Sequence, residues 1–242
     1  MFIRTESFRE FIRFYPIVSL IISINIIIYL LSILPFFPNI WFFETFSGVN
    51  LYITEGQFWR LLTPIFMHSG FSHMLFNSFS ILLFGPALER MLGSGRFLFV
   101  YLFSGIIANI ATLMVEPLTF THVGSSGAIF GLFGYYLSII MFRKTMLSRQ
   151  NSQIIITLLV INLLMTFLQP NINITAHLFG LLGGFLLGAF PYFNKKDFSD
   201  SIKGVSNWAG SKKKDFSYQS PLKKLMWGVI VLLAILGFLA QR

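Results

Sequence analysis

The sequence predicts an all-α polytopic membrane protein: a six-helix core followed by a seventh, C-terminal transmembrane helix. Three observations predict it. Hydrophobic residues make up 55% of the 242 positions and charged residues only 11%, with 30 phenylalanines, whereas a soluble domain carries about 25% charged residues. The charges are gathered into short stretches that separate apolar runs. Seven of those runs approach the length of about 20 residues that a helix needs to cross about 30 Å of hydrocarbon.

In chain order, the first run covers residues 16–34. It is too long for the core of a cleavable signal and lacks a small-residue cleavage site after it, so it is expected to remain as the first helix. A long aromatic-rich loop, 35–70, follows. The next five spans are read at 71–92, 96–115, 126–143, 152–168 and 174–193. A polar tract bearing Ser and Lys, 194–224, then separates them from a last, shorter run at 225–240. The chain divides accordingly into a core of residues 1–193, a basic linker of residues 194–224, and a final span within 225–242. No internal repeat is visible.

Orientation follows from Lys and Arg, which collect in cytoplasmic loops. With seven spans, one face holds 16 of the 18 basic residues and the other only Arg60 and Arg242. The N-terminus is therefore expected in the cytoplasm. The formal charge of +9 is accounted for by topology and by contact with anionic lipid headgroups, which argues against a nucleic-acid partner. The absence of cysteine excludes disulfides, thiolate metal sites and a cysteine nucleophile. Chemistry has to come from oxygen and nitrogen.

In this topology the second, fourth and sixth spans start at the outer face, and each start carries polar residues. His73 and Asn77 are four apart and share one helical face. Ser126 opens the fourth span in VGSSGAIFG, and His177 lies in the first turn of the sixth in ITAHLFG. At 1.5 Å rise per residue all four can lie on the order of 10 Å below the outer surface. An ionisable group inside a membrane is costly and is read as functional by default. Gly127, Gly131 and Gly134 on one span, and Gly180, Gly184 and Gly188 on the other, form side-chain-free stripes that let two helices approach closely. Such packing is expected to bring the Ser126 hydroxyl within about 2.6–3.2 Å of the His177 imidazole, the range of general-base activation.

GSSG at 124–127, AHLFGLLG at 176–183, HMLFN at 73–77, FWR at 58–60 and ALERMLGSGRF at 87–97 together resemble the signature set of the rhomboid intramembrane serine proteases, in order and in spacing, over residues 16–193. The resemblance implies a Ser-His dyad: Ser126 as nucleophile and His177 as general base, then acid. It implies an oxyanion hole made by the Ser126 backbone N–H with the side chains of His73 and Asn77. Gly124 and Gly127 would leave room around the serine, Gly180 would support close helix packing, and Phe130 would pack on the imidazole. Trp59 and Arg60 would be structural, in a hairpin partly embedded in the outer leaflet.

Glu44, Glu55 and Glu116 lie in loops, so no acidic third member is evident. Four histidines occur without HExxH or an intramembrane carboxylate, so neither a metal nor another cofactor is expected. An aspartyl mechanism fails because Asp197, Asp200 and Asp215 all fall in the tail. His68 reads as fixing the loop beside the site, His122 as a surface residue, and Glu89 with Arg90 as a capping or ion-pair feature. A transporter would show related halves with broken helices and charges at the midplane. The alternative from a different class is a catalytically inactive, rhomboid-like protein that binds transmembrane helices. The expected function is thus an intramembrane serine protease of the cell membrane, with membrane lipids around it and a transmembrane protein as substrate. Its active site faces outside beneath flexible loops at 116–125 and 169–175.

Overall fold

The computed structural model describes residues 6–143 and 145–190. It is mostly helical. The helices are α1 (Phe8–Phe14), α2 (Pro16–Ile33), α3 (Asn39–Phe46), α4 (Asn50–Thr54), α5 (Phe71–Leu92), α6 (Ser94–Val115), α7 (Ser126–Phe142), α8 (Arg149–Leu168) and α9 (Ile174–Ala189). Four of them, α2, α5, α6 and α8, are long and apolar enough to cross a membrane, while α7 and α9 are shorter apolar helices of 17 and 16 residues. The linker and the span expected at 225–240 lie outside the described residues.

The helices fall where the apolar runs do, with instructive differences at the ends. α1 was not anticipated; it begins with a capping box in which Ser7 Oγ accepts from Glu10 N and Glu10 Oε2 accepts from Ser7 N at 2.8 Å. α8 starts at Arg149 rather than 152 because Ser148 caps it, accepting from Asn151 N at 3.2 Å. α9 ends at Ala189 rather than 193: Phe190 is extended, with φ −71° and ψ 128°, and it precedes Pro191, whose ring disfavours helical backbone in the residue before it.

Glu89, near the end of α5, is buried and caps another helix. Its carboxylate accepts from Ile17 N at 3.0 Å, Val18 N at 2.9 Å and Ser94 Oγ at 2.7 Å. Pro16 at the start of α2 has no N–H to satisfy, so Glu89 takes the next two orphan donors and places negative charge at the positive end of the helix. Glu89→Ala strands these donors. It is expected to destabilise the protein by about 3 kcal/mol, read as a lowered midpoint of thermal unfolding in detergent.

α7 sits at the centre, buried along nearly its whole length, and packs against α6 and α9, which also touch each other. Its contact with α9 is backbone against backbone. A Cβ on Gly180 would meet the carbonyl of Gly127, one on Gly184 the carbonyl of Gly131, and one on Gly134 the carbonyl of Leu181. The two glycine stripes therefore interlock. Because the opposing atoms are main chain, they cannot yield as a flexible side chain would. Gly184→Val is expected to cost about 3 kcal/mol or more and to lower the fraction of folded protein recovered in detergent.

The long first loop is tied down at both ends. Arg60 is buried; its Nη1 donates to the carbonyls of Glu44 and Ser47 at 2.6 Å, its Nε donates to Gln57 Oε1 at 2.7 Å, and the guanidinium lies 4.9 Å from the Tyr52 ring. Trp59 Nε1 donates to Thr45 O at 3.2 Å. A short antiparallel pair, β1 (Gly48–Val49) with β2 (Thr121–His122), joins this loop to the one before α7. Asn50 Nδ2 adds bonds to the carbonyls of Thr112, Glu116 and Pro117 at 3.0–3.3 Å. The segment at 116–125, expected to be flexible, is instead pinned by this ladder and these amide bonds.

Candidate active site

Gly124 shapes the approach to α7. Its φ of 124° lies where side chains are disfavoured, and its N–H donates to Pro64 O at 2.8 Å. A Cβ there would come within 2.6 Å of His73 Nε2 and 3.7 Å of Asn77 Nδ2. The backbone of 124 thus lies directly on the two α5 side chains. Two residues later, Ser126 begins α7, half-buried, where the first N–H groups of the helix have no intrahelical partner.

His177 is held from several directions. Asn173 caps α9, accepting from Ala176 N and donating to Thr112 Oγ1, both at 2.9 Å. Thr175 donates to Glu116 Oε1 at 2.7 Å, which ties the same turn to the end of α6. The Phe130 ring stacks on the imidazole, with centroids 4.2 Å apart and planes 21° apart. Thr166 Oγ1 of α8 lies 2.8 Å from His177 Nδ1. The partner of that nitrogen is therefore a hydroxyl and not a carboxylate.

Ser69 Oγ, just before α5, lies 3.1 Å from His73 Nδ1, leaving Nε2 directed at Gly124. Asn77 is buried, and its Nδ2 has no hydrogen-bond partner among the described residues. His68 sits edge-on to His73, with ring centroids 5.1 Å apart; burial, with His73 beside it, pushes its imidazolium down to about 3. It is neutral at neutral pH and packs as a loop-fixing residue.

Ser126, His177, His73 and Asn77 all line one cavity of about 750 Å³, walled by α5, α7, α8 and the loops at 120–123 and 169–173. The hydrogen bond expected between Ser126 and His177 is not formed among the described residues. His122, expected at the surface, is buried: β2 pairing sets it opposite Gly48, which leaves room for its ring. Burial pushes its imidazolium down to about 4. No group of three or more His, Cys, Asp or Glu that could hold a metal occurs among the described residues.

Sequence reasoning does not single out Thr166, Asn173 or Ser69, and it reads Glu116 only as a loop carboxylate. Asn173 was findable, since Asn before an apolar helix is a capping signal. Ser69 stands four residues before His73. Thr166 reaches His177, and Glu116 reaches Thr175, only through tertiary packing.

A family model described as the rhomboid domain matches residues 55–192. The Bacillus subtilis protein YdcA, whose name places it among the rhomboid proteases, is 53% identical over 197 residues, which is 81% of this chain and 98% of that protein. The rhomboid protease GluP of the same organism is 42% identical over 140 residues, 58% of this chain and 27% of its own length. RHOMBOID-like protein 1 of Arabidopsis thaliana is 30% identical over 201 residues, 79% of this chain and 49% of its own length. The likeness to YdcA runs almost from end to end of that protein, the matched domain spans His73, Asn77, Ser126 and His177, and the chain belongs to the rhomboid family.

Proposed function

We propose that this chain is an intramembrane serine protease that hydrolyses peptide bonds in or beside transmembrane segments of other proteins, near the outer face of the cell membrane. The observation that carries the reading is the cavity, set in an apolar bundle, that Ser126, His177, His73 and Asn77 line together. Ser126 Oγ attacks the scissile carbonyl carbon as His177 Nε2 takes its proton. The resulting oxyanion is met by the Ser126 N–H and by donors from His73 Nε2 and Asn77 Nδ2. His177 then passes the proton to the leaving amine. Water, deprotonated by the same imidazole, releases the acyl group from Ser126. Gly124, Gly127 and Gly180 allow the close backbone approaches this needs, and Phe130 orients the ring.

The six apolar helices α2, α5, α6, α7, α8 and α9 form the membrane core within residues 1–193, and the segment 194–224 is a cytoplasmic basic linker to a seventh span in 225–242. The N-terminus is cytoplasmic and the cavity opens outward, so water reaches it from outside while a substrate helix arrives laterally through lipid. A peptide bond inside a helix is shielded, so the substrate has to unwind locally before it is cut. Labelling with a serine-directed fluorophosphonate tests the reading: the purified protein is expected to be labelled at Ser126. Absence of labelling in a preparation that is folded, or labelling retained in Ser126→Ala, overturns it and favours a protein that only binds helices.

A further inference from the structure

We propose that Thr166 of α8 is a positioning residue for His177, accepting a hydrogen bond from Nδ1–H and so holding the imidazole in the tautomer whose Nε2 lone pair is open to Ser126. This rests on the Ser126–His177 reading above and adds to it a third side chain, from a helix that carries none of the motifs.

Proton counting makes the argument. Thr166 Oγ1 lies 2.8 Å from the carbonyl oxygen of Asn162 and 2.8 Å from His177 Nδ1. A hydroxyl has one proton to give and two lone pairs. The carbonyl can only accept, so the threonine proton goes to Asn162 O, the i−4 back-bond common for Thr within helices. Towards His177 the hydroxyl then offers a lone pair. In a neutral imidazole one nitrogen is the donor and the other the acceptor, so Nδ1 carries the hydrogen and Nε2 is left basic. The opposite assignment sets two oxygen lone pairs against each other at 2.8 Å. It also protonates Nε2, which could then not take the serine proton.

The surroundings hold this arrangement in place. Thr166 is 1% exposed and His177 6%, so bulk water does not compete for Nδ1. Phe130 fixes the ring plane from its face while Thr166 fixes its rotation about that plane. When His177 becomes an imidazolium, the same bond becomes charge-assisted and strengthens. In a serine triad a carboxylate performs this service. A neutral hydroxyl does so here without the desolvation penalty of a buried carboxylate.

The test compares Thr166→Val, which keeps the shape and loses the hydroxyl, with Thr166→Ser, which keeps the hydroxyl. In detergent with a fluorogenic transmembrane substrate, Thr166→Val is expected to lower kcat by about 10- to 100-fold, as loss of one hydrogen bond to a group that becomes charged implies. KM should stay within about 2-fold of wild type and Thr166→Ser should restore kcat to within about 3-fold, since the loss lies in the chemical step. Nitrogen-15 NMR of histidine-labelled protein, with His177 assigned by its absence in His177→Ala, should read Nδ1–H in wild type and Thr166→Ser, and a mixture or the other tautomer in Thr166→Val. Wild-type kcat in Thr166→Val, alongside an inactive Ser126→Ala, sinks the role of Thr166 and leaves the dyad standing. Activity in Ser126→Ala sinks the dyad itself. If Thr166→Val does not fold, the wild-type tautomer decides: Nδ1–H supports the proposal and Nε2–H overturns it.

Discussion

Ser126→Ala and His177→Ala are each expected to reduce cleavage of a transmembrane substrate by at least about 10⁴-fold, and the double variant is expected to be no worse than either single one. The reasoning is that nucleophile and base act as one unit. Without the imidazole, the hydroxyl has nowhere to send its proton and attacks as a neutral alcohol. Without the hydroxyl, the imidazole has no proton to take. Losses that multiplied would mean that the two side chains contribute independently, and that would overturn the proton-transferring pair. Substrate affinity offers a control, because the cavity walls on α5 and α8 remain in place. The alanine variants should still bind and co-purify with substrate while failing to cut it. Initial rates with wild-type and variant protein in the same detergent give the comparison.

Much of the fold was legible because apolar periods and punctuation are local signals. α5 lies at 71–92, where its apolar run predicts it: the helix continues through Pro86, and Gly93, with φ 80°, ends it. The end of α9 was overrun because the apolar composition continues beyond Ala189 while the backbone responds to Pro191. α1 and the pinning of the 116–125 loop were invisible for different reasons. α1 is too short to register as a span, and the loop is held by a two-residue ladder to a segment some 70 residues earlier. The burial of His122 follows from that same ladder, so its surface reading failed together with the loop's flexibility.

The polar residues of the cavity were legible because each stands out against an apolar background and sits at the start of a helix. Ser126, His177, His73 and Asn77 come from three helices, and the glycine stripes said which two of those helices would touch. What holds His177 was not legible. Thr166 looks like one more hydroxyl on an apolar helix, and its bond to Nδ1 depends on where α8 packs. Glu116 reads as a loop carboxylate, yet it accepts from Thr175, two residues before the histidine. Side chains that act through a partner leave no spacing pattern, because packing sets their geometry.

Asn77→Ala is expected to lower kcat by about 10²- to 10³-fold with KM little changed, the loss that follows removal of one oxyanion donor, and His73→Ala is expected to match it. Asn77 Nδ2 is buried without a partner among the described residues, so truncating it breaks no internal hydrogen bond through that nitrogen. If Asn77 were a stitch between helices, the same variant would lose thermal stability and keep its kcat. The proposal requires the reverse: a stability within about 0.5 kcal/mol of wild type, or higher, because an unsatisfied buried group is removed, together with the fall in kcat. His73 can be separated from Asn77 through Ser69, 3.1 Å from Nδ1. A serine proton donated to Nδ1 leaves the hydrogen on Nε2, where it faces Gly124 and the cavity. Ser69→Ala releases that constraint and is expected to reproduce part of the His73→Ala loss in wild-type protein, and to add nothing in the His73→Ala background. An Asn77→Ala variant that is unstable but turns over at the wild-type rate would remove α5 from the chemistry and leave it a purely structural helix.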